Sequence, residues 1–449
     1  MRTARLCGWT LAALGSAQAL AAPAEGDLRA AEPSERRRAL RALVDLADPD
    51  VPRRDRSLRI RLERMLARDP DASVRGLAAV ALARVCGEAA VEPVLDAMGE
   101  ERDPAAERGL VEACEWLSFE EARRALSEAT TEVARPRRAA LAAEGLAALP
   151  GDRGRLDLLG LLVAAPPWAV DAAACLGLAR HRDVRVLEAL LPRLRHPDAS
   201  VRSAARWSLA RLTGHDLGTD PAEWEGWWAR SREGYAFPEP GRGPAVGPDG
   251  EGVDPRETRP GIRDRPTHAR FFGIELTGRR VAFVVDFSQS MWGPRRDRAQ
   301  AELVDAVKGL PPDHTFSVIL FNERVWWFRD GPLPARPAQK LDLASYLPEQ
   351  ETKSYTNVYD PLEQALGLLG VGAAARDPAP GVDEIVLLSD GVPNRGKIRD
   401  PERILEAVRA LNAGRARIHT VSLGDEPTTL LPRLAAENGG RHVAHPFPK

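Results

Sequence analysis

At 449 residues the chain is long for one domain, and a length prior points to two or three. Its hydrophobic fraction of 44% and charged fraction of 29% are ordinary for a soluble globular protein. Lys and Arg total 63 against 65 Asp and Glu, a formal net charge of −2, so no global field draws the chain onto nucleic acid or an acidic membrane.

Residues 1–22 read as a secretory signal. Arg2 and Arg5 make a short positive segment, 6–14 is mostly apolar, and Ala19-Leu20-Ala21 offers the small-x-small pattern of a cleavage site. Nothing downstream reaches the about 18 apolar residues a membrane-spanning helix needs, so no transmembrane segment is expected. Cys7 would leave with this leader. Cys86, Cys114 and Cys175 remain, an odd number without CxxC spacing in Ala/Leu-rich stretches, and they read as small buried apolar residues.

The hexapeptide Pro-Asp-Ala-Ser-Val-Arg occurs at 70–75 and again, unchanged, at 197–202. Between the copies, prolines that open helical runs recur at Pro104, Pro136 and Pro167, giving steps of 34, 32, 31 and 30 residues. A proline near the first helical turn costs no hydrogen bond and its fixed φ suits the helix. Each unit then carries an Ala/Leu-rich helix, a turn and a more amphipathic helix. Neither helix buries its apolar face alone, so the units must stack, with Val74 and Val201 in equivalent positions between helices. The Asp-x-x-Val-Arg phrase with this period resembles short HEAT-type repeats over residues 30–235. Trp224, Trp227 and Trp228, at i, i+3 and i+4, make one apolar stripe, read as a helix closing the last repeat. Residues 236–266, rich in Pro and Gly without apolar periodicity, read as a semi-extended linker.

From 267 to 449 the pattern switches to strands alternating with helices. Strands are expected at 281–285, 315–321, 324–328, 384–389, 417–423 and 441–444, and helices at 298–308, 361–369, 401–412 and 430–437. Such alternation predicts an α/β doubly wound, mostly parallel sheet of Rossmann type, following an all-α helical-repeat solenoid. Ligands of such sheets bind at the carboxyl ends of the strands. Asp286, Ser288 and Ser290 follow the first strand, Asp390 follows the strand at 384–389, and Thr356 precedes a helix. Two carboxylates and three hydroxyls suit a hard divalent cation with about six oxygen ligands, and the lack of thiolate and imidazole disfavours zinc or copper.

The phrases DFSQS, YTN and LLSDG, in this order on these elements, resemble the metal-ion-dependent adhesion site of von Willebrand factor A-type domains. The resemblance implies that Ser288, Ser290 and Thr356 ligate Mg2+ (or Mn2+ or Ca2+) directly. It further implies that Asp286 and Asp390 hold coordinating waters and that a partner's carboxylate takes the open position. Gln289 stands where the family most often has glycine. The last strand falls close to Lys449, so the C-terminal helix that switches affinity in adhesion members is expected to be absent.

The implied function is non-enzymatic: an exported, periplasmic or extracellular protein that captures an acidic group of a protein partner through the cation, with the repeats as a second surface. No nucleic-acid partner is expected. No GxSxG elbow, P-loop or HExxH is present, and a phosphoryl-accepting Asp286 would need a carboxylate where Ser288 stands. His442 and His445 read as surface residues rather than a metal pair. The alternatives are a scaffold whose binding is carried by the repeats, or a subunit of an enzyme complex.

Overall fold

The computed structural model describes residues 28–46, 56–117, 120–238, 267–367, 382–390, 392–412, 416–424 and 429–445. The leader expected at 1–22 and all but 236–238 of the expected linker lie outside these residues. Among the described residues no helix is long and apolar enough to cross a membrane. The chain divides into two compact units, one ending at His181 and one beginning at Arg182.

The first unit is built from helices alone among its described residues: α1 (Pro33–Leu46), α2 (Arg56–Arg68), α3 (Ala72–Cys86), α4 (Val91–Glu100), α5 (Pro104–Ala113), α6 (Glu120–Ala129), α7 (Pro136–Ala148), α8 (Arg153–Val163) and α9 (Trp168–Leu178). The Ala-rich helices stack on one another, α3 on α5 and α7 on α9. Small residues make this possible. A Cβ on Gly109 of α5 would lie 2.3 Å from the Gly76 Cα of α3, so the two backbones touch where only glycine fits. Ion pairs recur at the repeat spacing, Arg36 to Asp69 and Arg123 to Asp157. Cys114 and Cys175 are buried, Cys86 is partly so, and none of the three is in a disulfide among the described residues.

The second unit opens with α10 (Val184–Leu190), α11 (Ala199–Thr213) and α12 (Pro221–Ser231). The two copies of the hexapeptide adopt the same local structure. Asp71 caps α3 by accepting from the Val74 amide, and Asp198 caps α11 by accepting from the Ser200 amide, the role short acidic side chains favour at helix starts. Arg75 and Arg202 each turn back onto the carbonyls five and six residues earlier. Val74 and Val201 are both fully buried, as expected. In α12 Trp224 and Trp228 are buried, and Trp227 lies among the rings of both and of Tyr235.

After the two-stranded ribbon of β1 (Arg270–Phe271) and β2 (Ile274–Glu275) comes a sheet of β3 (Arg280–Asp286), β4 (Thr315–Phe321), β5 (Val325–Trp327), β6 (Leu333–Pro334), β7 (Glu384–Ser389), β8 (Arg417–Leu423) and β9 (His442–His445). Its order is β5-β4-β3-β7-β8-β9, with β6 also on β4. All pairs from β4 to β9 are parallel, and β5 and β6 add antiparallel edges. Strand alternation sends successive side chains to opposite faces. Val281, Phe283 and Val285 enter one core with α13 (Pro294–Gly309) and α14 (Pro337–Tyr346), and Ala282 and Val284 enter the other. That second core is closed by α15 (Tyr359–Gly367), α16 (Pro401–Asn412) and α17 (Leu430–Glu437).

The C-terminal part is therefore the doubly wound, mostly parallel sheet its pattern predicts. Four differences stand out. α13 begins at Pro294 rather than 298, α14 was not anticipated, and neither were the short β1–β2 ribbon and β6.

Within the second unit, α11 packs against α13. Lys308 Nζ lies 2.9 Å from Asp198 Oδ2. Lys340 of α14, buried, donates to the carbonyls of Lys308 and Leu310 at 2.8 Å and reaches the Ser200 hydroxyl at 3.4 Å.

Candidate metal centre

β3 and β7 are central and adjacent, and both end at the same edge of the sheet. The side chains that follow their last residues therefore meet. Asp286 closes β3 with no exposed surface. One of its oxygens accepts from the Ser288 amide at 2.7 Å, and the other accepts from the Ser389 hydroxyl at 2.5 Å. The Ser288 and Ser290 hydroxyls are 3.0 Å apart, and Ser290 donates to Asp390 Oδ1 at 2.7 Å. One continuous chain of hydrogen bonds thus links Ser389, Asp286, Ser288, Ser290 and Asp390. The loop geometry comes from a short helical turn, Gln289–Met291, and then α13, whose first turn begins at Pro294.

Thr356 is buried and joins this edge through its backbone. Its amide donates to Asn394 Oδ1 at 2.8 Å, and its carbonyl accepts from the Asn394 amide at 3.0 Å. The same segment bridges to the loop that follows β3: Lys353 pairs with Ser288, and its amide donates to the Phe287 carbonyl. The structure thus joins four of the five residues singled out from the sequence by side-chain bonds, and sets the fifth on an adjoining strap. Gly391 of the LLSDG phrase lies outside the described residues.

Sequence reasoning missed three participants. Ser389, the last residue of β7, holds the far oxygen of Asp286. Asn394 holds Thr356. Arg295 donates to Asp390 Oδ2 at 3.0 Å and to the Ser290 carbonyl at 3.2 Å. Ser389 was legible, since a strand-ending serine beside Asp390 lies at the same edge. Arg295 was not, because helix α13 was expected to start after it.

The electrostatics favour a cation. Burial, reinforced by the nearby charge of Asp390, pushes Asp286 up to about 7 despite the bonds from Ser389 and Ser288. Burial also raises Asp390, against the opposing pull of Ser290 and Arg295. Arg295 pairs with Asp390, and the buried Asp286 ionises only at a cost that a cation beside it would offset. Among the described residues no three His, Cys, Asp or Glu side chains group as metal ligands; the side-chain oxygens gathered at this edge are those of two carboxylates and of serine hydroxyls. His442 bonds Thr420, and His445 packs on the Phe272 ring, so the two histidines engage different partners.

Residues 279–443 match the family described as von Willebrand factor type A domain, and residues 156–221 match HEAT repeats. The inter-alpha-trypsin inhibitor heavy chain H3 of Bos taurus is 26% identical over 170 residues, 37% of this chain and 19% of that protein. Heavy chain H4 of Homo sapiens is 29% identical over 170 residues, 37% of this chain and 18% of that protein. The chain thus spans about a fifth of the length of these relatives. A von Willebrand factor type A structure from Catenulispora acidiphila aligns with a TM-score of 0.33 at 16% identity, covering 39% of this chain and 40% of that one. Proximal thread matrix protein 1 from the mussel byssus, solved with a zinc-occupied metal motif, aligns with a TM-score of 0.28 at 20% identity, covering 37% and 41%.

Proposed function

We propose, for a chain whose residues 279–443 fall in the von Willebrand factor type A family, that it is a non-enzymatic binding protein that grips a carboxylate of a protein partner through a divalent cation. Ser288, Ser290 and Thr356 would hold the ion, Mg2+ or in its place Mn2+ or Ca2+, with Asp286 and Asp390 behind them. The observation that carries this reading is the unbroken chain from Ser389 through Asp286, Ser288 and Ser290 to Asp390. It gathers two buried carboxylates and two hydroxyls at one sheet edge.

When bound, the ion supplies a strong positive field with room for an outside anionic oxygen. The protein's own part is to hold the hydroxyls in place and keep Asp286 dry. Residues 1–22 act in this reading as an export signal, 30–235 as a repeat array offering a second binding surface, 236–266 as a linker and 267–449 as the cation-bearing domain. The location that follows is periplasmic or extracellular.

A pull-down from the native envelope or medium, with Mg2+ and with EDTA, tests the reading. Capture should disappear with EDTA and with Asp286→Ala, and should return when Mg2+ or Mn2+ is restored to the wild type. The circular dichroism of the variant should stay native. Capture that survives both chelation and Asp286→Ala would move the binding function to the repeats.

A further inference from the structure

Among the described residues eight large apolar side chains are exposed, and three of them sit within two positions of the residues assigned to the ion. Trp292 is two residues after Ser290 and 67% exposed, Tyr355 directly precedes Thr356 at 44%, and Val392 is two residues after Asp390 at 52%. Single exposed apolar residues are ordinary. Three beside the residues of one sheet edge, each from a different loop, are not, and exposed apolar residues gathered around a site mark interaction surfaces.

Two further features separate this collar from chance exposure. Tyr355 is held at φ 72°, a left-handed conformation costly for a bulky side chain, so its ring is presented against a local preference. The cations of the collar are arginines: the Arg395 guanidinium lies 4.0 Å from the Tyr355 ring centroid, and Arg295 flanks Asp390. The collar is thus apolar and positive around a cation seat. Its complement is a negative group carried on an apolar body.

Resting on the cation reading above, we infer that Trp292, Tyr355 and Val392 form a recognition collar for a polypeptide segment in which an acidic residue is flanked by a bulky apolar one. The acid meets the ion, and its neighbour packs on the collar. Beside the collar, a cavity of about 370 Å³ lined by Trp326, Arg324, Lys353, Glu349 and Glu351 gives the segment room to continue. That cavity adjoins the loop that follows β3, since Trp326 packs edge-on to Phe287 with centroids 6.2 Å apart. Aromatic residues at the centre of an interface contribute most of its binding energy, so Trp292 and Tyr355, which flank the residues assigned to the ion, set the preference beside the acid.

The test is a displayed library of random dodecapeptides selected on the full chain in Mg2+ and eluted with EDTA. The eluted pool should be enriched about tenfold over the input in Asp or Glu with Trp, Phe, Leu or Ile within two positions. A peptide from that pool should lose about tenfold or more in affinity to Trp292→Ser and to Tyr355→Gly. Glycine adopts the positive φ freely, so loss of binding in Tyr355→Gly is not loss of fold. A pool rich in acids without apolar neighbours overturns the collar and leaves the cation reading standing. An empty EDTA eluate overturns both. Mg2+-dependent sedimentation with phosphatidylserine vesicles, in the absence of peptide enrichment, would assign the collar to a lipid surface and overturn the proposal.

Discussion

In the proposed site Asp390 would serve two cations. Its side chain is fully buried, and the Arg295 guanidinium already lies at 3.0 Å from one of its oxygens. A divalent ion bound behind the same carboxylate would repel that guanidinium across a short distance in a poorly screened site. Replacing Arg295 with Met, which keeps most of the stem, should therefore tighten Mg2+ binding about tenfold, the equivalent of about 1.4 kcal/mol, as read by titration calorimetry. Weaker binding in the variant would instead make Arg295 the residue that aims Asp390. Most of this site could be read from the sequence, because a parallel sheet delivers whatever follows β3 and β7 to one edge. What escaped was the support. Asn394 acts through its bond to Thr356, and no spacing rule announces a residue whose role is to hold another; Ser389, which holds Asp286, differs in that its place at the end of β7 marks it.

At the scale of elements, strands β4, β7 and β8 and helices α16 and α17 have the limits their apolar patterns predict, since a strand buried on both faces reads as an uninterrupted run. Helix α14 was illegible for the opposite reason. Its buried face carries Gln339 and Lys340, both nearly inaccessible, so the apolar stripe that signals a helix is broken where it packs. Burial, opposed by Asp198 and helped by Lys308, lowers Lys340 to about 7. The unfolded chain keeps that proton up to the ordinary lysine range near about 10. Between about pH 7 and 10 the unfolded state therefore binds more protons, and stability rises with pH. Below that window both states hold the proton, and the burial cost is constant. Urea denaturation across pH 7 to 10 should show a slope in the wild type that Lys340→Met flattens, with a difference on the order of 1–3 kcal/mol over the window. Parallel curves would mean that Lys340 keeps its charge when buried.

For the whole molecule, the compact unit that contains the sheet begins at Arg182, inside the repeat array. Helices α10–α12 thus belong structurally with the sheet. A fragment beginning at 182 should melt higher than one beginning at 267, which loses the packing of α11 on α13 and the pairing of Lys308 with Asp198. A drop of several degrees by calorimetry is expected from about 1–2 kcal/mol on a domain of this size. Equal melting temperatures would make α11 a passive neighbour. The two identical hexapeptides differ in the partners of their aspartates: Asp71 Oδ2 takes Arg37 of another repeat helix, and Asp198 Oδ2 takes Lys308 of the sheet-bearing part. The same six letters consequently do different jobs: loss of the Asp71 carboxylate removes a tie between two repeat helices, whereas loss of the Asp198 carboxylate removes a tie between α11 and the sheet-bearing part.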